Sequence, residues 1–144
     1  MSLFGVFEIA SSGMEAQRLR AQLLTENIAN AETTRTPTGG PYHRKDAIFT
    51  ASPAPSQFSS VFESTLNTMT GVAVREVMVD DSEPERRFLP GHPDADKEGY
   101  VAFPRMNPAE EMINLQSASR GYQANVAALS AAKDMILHSI DILK

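Results

Sequence analysis

The residues best suited to chemistry are one histidine and the acids that follow it in a short loop, His92-Pro93-Asp94-Ala95-Asp96-Lys97-Glu98-Gly99. Carboxylates at every second position followed by glycine match the opening of a calcium loop. Such a loop also needs a bidentate glutamate at its twelfth position, where this chain has Arg105, and a pair of flanking helices that the surrounding sequence does not provide. His92 beside Asp94 suggests a metal ligand or a hydrolytic acid–base pair. The other histidines, His43 and His138, are expected in a different loop and on a C-terminal helix, so no second imidazole joins it. The serines lie in no Gly-x-Ser-x-Gly elbow. Gly39-Gly40 follows a helix rather than opening one, the wrong side for an anion site. No catalytic, cofactor or metal residue is therefore assigned, and the acidic loop is expected to be a solvated hairpin turn.

The stronger signal is structural. From Ala109 onward, steps of three and four residues pick out Met112, Leu115, Ser119, Tyr122, Val126, Leu129, Lys133, Ile136, Ile140 and Leu143, of which only Ser119 and Lys133 are polar. A period of 3.5 residues places them on one stripe of a coiled-coil-like helix. Such a stripe requires a partner helix. The serine and the lysine are read either as simple accommodation, with the lysine snorkelling, or as a device that sets register and partner choice.

Residues 1–33 supply a second helix, with Leu3, Phe4, Phe7, Ala10, Met14, Ala21, Leu24 and Ile28 at helical spacing. Ser11-Ser12-Gly13 is expected to interrupt it, and Thr33 to Pro41 to end it. All nine prolines fall within residues 34–108, which excludes a long helix there. In this middle segment Gly71 to Asp80 reads as a strand, Ala47 to Thr50 as a shorter one, and Arg87 to Leu89 with Tyr100 to Phe103 as a hairpin. Residues 51–60 read as an irregular loop. Asn107-Pro108 is an N-cap followed by proline at the first helical position, opening the C-terminal helix over 109–144. The expected fold is α+β, mainly α. Long terminal helices form an antiparallel pair, and a β-rich middle bulges from the end where residues 32 and 108 meet.

Composition narrows the partners. The 144 residues suffice for one ordinary domain, and a formal charge of −5 argues against nucleic acid. With no cysteine there is neither a disulfide nor a thiolate metal site. No basic and apolar leader of the secretory kind opens the chain, and no stretch is apolar enough for membrane insertion. Composition alone suggests a cytoplasmic protein.

Separated motifs in this chain resemble one family, the rod and hook axial proteins of the bacterial flagellum. Asn27-Ile-Ala-Asn-Ala-Glu-Thr-Thr-Arg35 with Tyr42-His-Arg-Lys45 is similar to the motif that closes their N-terminal helix. Asn107-Pro-Ala-Glu-Glu-Met112 and Ser119-Arg-Gly-Tyr-Gln-Ala-Asn125 are similar to motifs of their C-terminal helix. Pro90 to Pro104 and Pro37 to Asp46 resemble the proximal-rod branch. Gly121 departs from the family by standing where a better helix former is usual.

The resemblance implies a non-enzymatic structural subunit of the proximal rod, exported by the flagellar type III apparatus without a cleaved signal and placed in the periplasmic basal body. That replaces the cytoplasmic expectation. Its partners would be further copies and other rod proteins, in a helical assembly that needs no cofactor. The expected assembly interface comprises Leu24, Asn27, Ile28, Asn30, Met112, Leu115, Tyr122, Asn125, Val126, Leu129, Lys133, Ile136, Ile140 and Leu143. Lys133 is expected to pair with a carboxylate of an N-terminal helix, Glu15 or Glu26, in the same or a neighbouring chain. Another axial subunit, a coiled-coil adaptor or export chaperone, and a hydrolase built on His92 and Asp94 are the competing readings.

Overall fold

The computed structural model describes residues 3–53 and 70–142. In chain order the elements are α1 (Leu3–Ala29), β1 (Lys45–Pro53), β2 (Thr70–Val79), β3 (Glu85–Phe88), β4 (Tyr100–Phe103) and α2 (Pro108–Ile142). The terminal helices pack on each other as an antiparallel pair, with two small antiparallel sheets between them in sequence. At 1.5 Å per residue, α1 is about 40 Å long and α2 about 52 Å. Much of the loop expected over 51–60 lies outside the described residues, as does Leu143. Ala51, Ser52 and Pro53, assigned to that loop from sequence, instead extend β1.

The helix pair holds one register. Gly13 of α1 faces Asn125 of α2, Gln17 faces Gly121, and Asn27 hydrogen-bonds Glu111, so each advance along α1 is matched by an equal retreat along α2. Small residues set the closeness. A Cβ at Gly13 would lie 2.9 Å from Asn125 Oδ1, and one at Gly121 would lie 3.1 Å from Gln17 Cδ. Gly121, a poor helix former, is thus where the Gln17 side chain is admitted. Ala10, Ala16, Leu23 and Leu24 of α1 and Ala118 and Ala132 of α2 are buried in this fold.

Ser11-Ser12-Gly13 does not interrupt α1, contrary to expectation. The Ser12 hydroxyl donates to the Ile9 carbonyl at 2.9 Å, a bond compatible with an intact helix, and also accepts from Val72 N–H at 3.1 Å. Ser12 and Gly13 are small because a sheet and a second helix crowd that turn, whereas Ser11 faces outward.

The larger sheet also departs from expectation. It does not bulge from the end of the pair but lies back along α1. β1 begins beside Asn27, whose Oδ1 accepts from Lys45 N–H, and the β1–β2 pair reaches Ser12 through Gly71 and Val72. Fifteen helical residues rise about 22 Å, close to the ~23 Å of the strand from Lys45 to Ser52. β1 and β2 pair from Lys45↔Val79 to Pro53↔Thr70, with a register shift between Ile48 and Phe49 that curves the strand.

The smaller sheet, β3 with β4, lies by the end of α1, where Asp94 of its connecting loop meets Thr34 and Arg35. Its Val101 and Phe103 are buried, and Thr34 Oγ1 ties the α1–β1 connection to Asp94 Oδ2 at 2.8 Å. Asp96 Oδ1 accepts from the backbone N–H groups of Glu98 and Tyr100, which closes the turn, and Gly99 takes φ +85° there. α2 then opens with Asn107 Oδ1 accepting from Ala109 N–H at 3.1 Å, the cap expected from sequence.

Candidate assembly interface

The innermost positions of α2 are Glu111, Ala118, Asn125 and Ala132 rather than Met112, Ser119, Val126 and Lys133. The line of closest approach therefore lies one residue, about 100° around the helix, from the Met112, Ser119, Val126 and Lys133 line of the stripe read in the sequence. At Ala118 and Ala132 the reason is size, since helices in close contact favour small residues at the line of nearest approach, while Glu111 is held there by Asn27 and Asn125 is admitted by Gly13. Leu115, Leu129 and Ile136 are half-buried along the edge of the seam.

The other described members of the stripe face outward. Met112 is 57% exposed, Val126 41%, Tyr122 40% and Ile140 50%. Lys133 lies among them, also exposed. α1 behaves oppositely, because its outward ridge of Glu8, Ser11, Glu15, Arg18, Gln22 and Thr25 is polar. Among the described residues, the large apolar side chains that the helix pair leaves exposed thus belong to α2. The register places Lys133 near the start of α1, far from Glu15 and Glu26 of its own chain, and Glu26 is engaged by Lys45 at 2.5 Å.

The expected interface residues of α1 are used differently. Leu24 and Asn27 are buried inside the subunit, while Ile28 and Asn30 are half-buried. Asn30 Nδ2 donates to the Glu26 carbonyl and its Oδ1 accepts from the Thr33 hydroxyl, closing the end of α1.

Asn27 is the centre of a polar knot. Its Nδ2 donates to Lys45 O at 2.8 Å and to Glu111 Oε2 at 2.9 Å, while its Oδ1 accepts from Tyr42 OH at 2.9 Å and from Lys45 N–H at 3.0 Å. All four hydrogen-bonding positions of the amide are filled. Glu111 Oε1 takes Arg44 Nε at 2.8 Å, and a second guanidinium nitrogen of Arg44 reaches Asp46. The bond to Glu111 raises the Arg44 pKa, overcoming the opposing effect of burial. Burial, with Glu26 and Glu111 nearby, pushes the Tyr42 hydroxyl up to about 12.

The knot joins the residues whose types carried the resemblance. Asn27, the Tyr42, Arg44 and Lys45 group, and Glu111 lie in separate motifs of the sequence and meet within hydrogen-bonding distance. Tyr42, Arg44, Lys45 and Glu111 were not singled out as site residues. Their signal was membership of short polar motifs on either side of helix ends.

Asp94 and Asp96 are engaged by Thr34, Arg35 and the turn backbone, and His92 Nδ1 lies 3.1 Å from the Asp94 N–H. Among the described residues no three His, Cys, Asp or Glu side chains are grouped to hold a metal, and no helix is long and apolar enough to cross a membrane.

Comparison with known proteins agrees with this architecture. Residues 97–142, spanning the end of the acidic loop and α2, match the family model described as "Flagellar basal body rod FlgEFG protein C-terminal". The chain is 38% identical to the flagellar basal-body rod protein FlgC of Borreliella burgdorferi, with 100% of this chain and 99% of the relative covered. It is 38% identical to the FlgC of Yersinia enterocolitica, covering 99% and 98%. The FlgC of Bacillus subtilis is 35% identical over the full length of both chains. Because these matches run through both helices and the middle segment alike, the chain belongs to the FlgC family of flagellar basal-body rod proteins.

Proposed function

We propose that this chain is a non-enzymatic structural subunit of the proximal rod, polymerising with further copies and other rod proteins into the shaft that carries motor torque across the periplasm. The observation that supports this most is the uncovered apolar row of α2, Met112, Tyr122, Val126 and Ile140, beside an α1 whose outer ridge is polar. A neighbouring axial subunit laying its own helix along that row would bury it, and contacts between different faces build an open helical polymer when the rotation between neighbours does not close a ring. The long helices form the axial domain of residues 1–33 and 109–144, and the middle segment of 34–108 adds lateral contacts outside it. The chain reaches the periplasm through the flagellar type III export apparatus with its N-terminus uncleaved.

The test is biochemical. In a strain expressing this chain in place of its own FlgC, mass spectrometry of purified basal bodies should find it with intact N-terminal residues. Export without incorporation into basal bodies would refute the assembly role, and retention in the cytoplasm would refute the export route.

A further inference from the structure

Away from the Asn27 end, α1 and α2 meet directly through their own residues, as Gly13 with Asn125 and Gln17 with Gly121. At that end the situation reverses. Asn27 and Glu111 are 0% and 3% exposed, and beyond the single bond between them their polar atoms are satisfied from residues 42–45. Lys45 supplies a carbonyl and an N–H, Tyr42 a hydroxyl and Arg44 a guanidinium. Remove that segment, and docking α2 would bury a carboxylate without a cation and an amide oxygen without a donor. Both groups are better hydrated than buried in that state, so the two helix ends stay apart.

We propose that this knot is a latch: the first turns of α2 dock onto α1 only after residues 42–45 have folded against Asn27. Tyr42, Arg44 and Lys45 are its positioning residues, acting through Asn27 and Glu111. Its consequence is an order of events. Leu115 lies one turn beyond Glu111, so the Met112–Leu115 end of the α2 stripe is presented in its fixed geometry only by a chain in which residues 42–45 are in place. A chain that has not yet folded residues 42–45 therefore does not offer that end of the stripe, docked, to a growing polymer. The latch does not depend on which polymer that is.

Hydrogen exchange on the full chain tests this. Arg44→Met strands the Glu111 carboxylate, and amides of residues 111–118 should exchange roughly tenfold faster or more, the scale of a lost charge-assisted hydrogen bond. Amides of residues 121–132 and of the β1–β2 sheet should change far less. Adding Glu111→Gln, which removes the charge but keeps an acceptor for Asn27, should restore most of the protection. Should Arg44→Met fail to fold, Arg44→Lys provides the milder form of the same contrast. Equal acceleration along both helices, failure of the double variant to recover, or no protection of residues 111–118 in the parent chain would overturn the latch.

Discussion

Gly71 of β2 lies so close to Ser12 of α1 that a Cβ on the glycine would be 2.7 Å from the serine hydroxyl. That hydroxyl also accepts from Val72 N–H, so the contact fastens the sheet to the helix. Gly71→Ala should destabilise the fold by about 1–3 kcal/mol through overpacking. Ser12→Ala should cost about 1 kcal/mol for the lost hydrogen bond. The double variant should cost clearly less than the sum, because removing the hydroxyl relieves the clash. Urea unfolding of the four proteins checks this, and additive costs would show that the two residues do not press on each other.

Among the described residues, Gln17 Oε1 is buried with no hydrogen-bond partner, opposite Gly121. Gln17→Met keeps the length and flexibility of the side chain and removes the unsatisfied atom. It should stabilise the chain by roughly 1 kcal/mol. Thermal unfolding reads the shift, and a lower melting temperature would mean that the amide is satisfied in solution.

Tyr42 carries a pH signature. Its hydroxyl titrates near 12 in the folded chain against an ordinary value of 10.0. A raised pKa favours the protonated form in the folded state, so the associated stability is fully present below pH 10 and is lost as pH rises towards 12. Tyrosinate absorbance should show one of the three tyrosines titrating late, and Tyr42→Phe should remove that phase. Tyr42→Phe should also flatten the fall in stability above pH 10. Three tyrosines ionising together near 10 would contradict the buried knot.

Sequence pattern made the helices and their antiparallel pairing legible, because Leu115, Leu129 and Ile136 recur at coiled-coil spacing and prolines confine the rest. The line of closest approach was not legible. Periodicity weighs large apolar side chains, whereas a tight seam is built on Gly13, Ala118, Gly121 and Ala132, whose value lies in what they lack. The same blindness made Ser11-Ser12-Gly13 look like a helix break. The polar knot was hidden for another reason. Asn27 and Glu111 are 84 residues apart, and hydrogen-bond complementarity over that separation leaves no periodic trace. Strand pairing stretched β1 beyond Ala47–Thr50, since β2 offers a ladder for residues whose own propensity is weak.

The central claim, that the outer row of α2 is covered by a neighbouring axial subunit, is most directly tested by Met112→Glu combined with Val126→Glu. Both side chains are exposed in the single chain, so its unfolding free energy should change by no more than about 0.5 kcal/mol. In an assembled rod the same carboxylates would be buried unpaired, at a cost of several kcal/mol each. Motility of cells carrying only the double variant is the measurement. The expected result is a folded, exported subunit, no rod and no swimming. Normal swimming would contradict the claim, because a row that tolerates two charges is not covered in the rod.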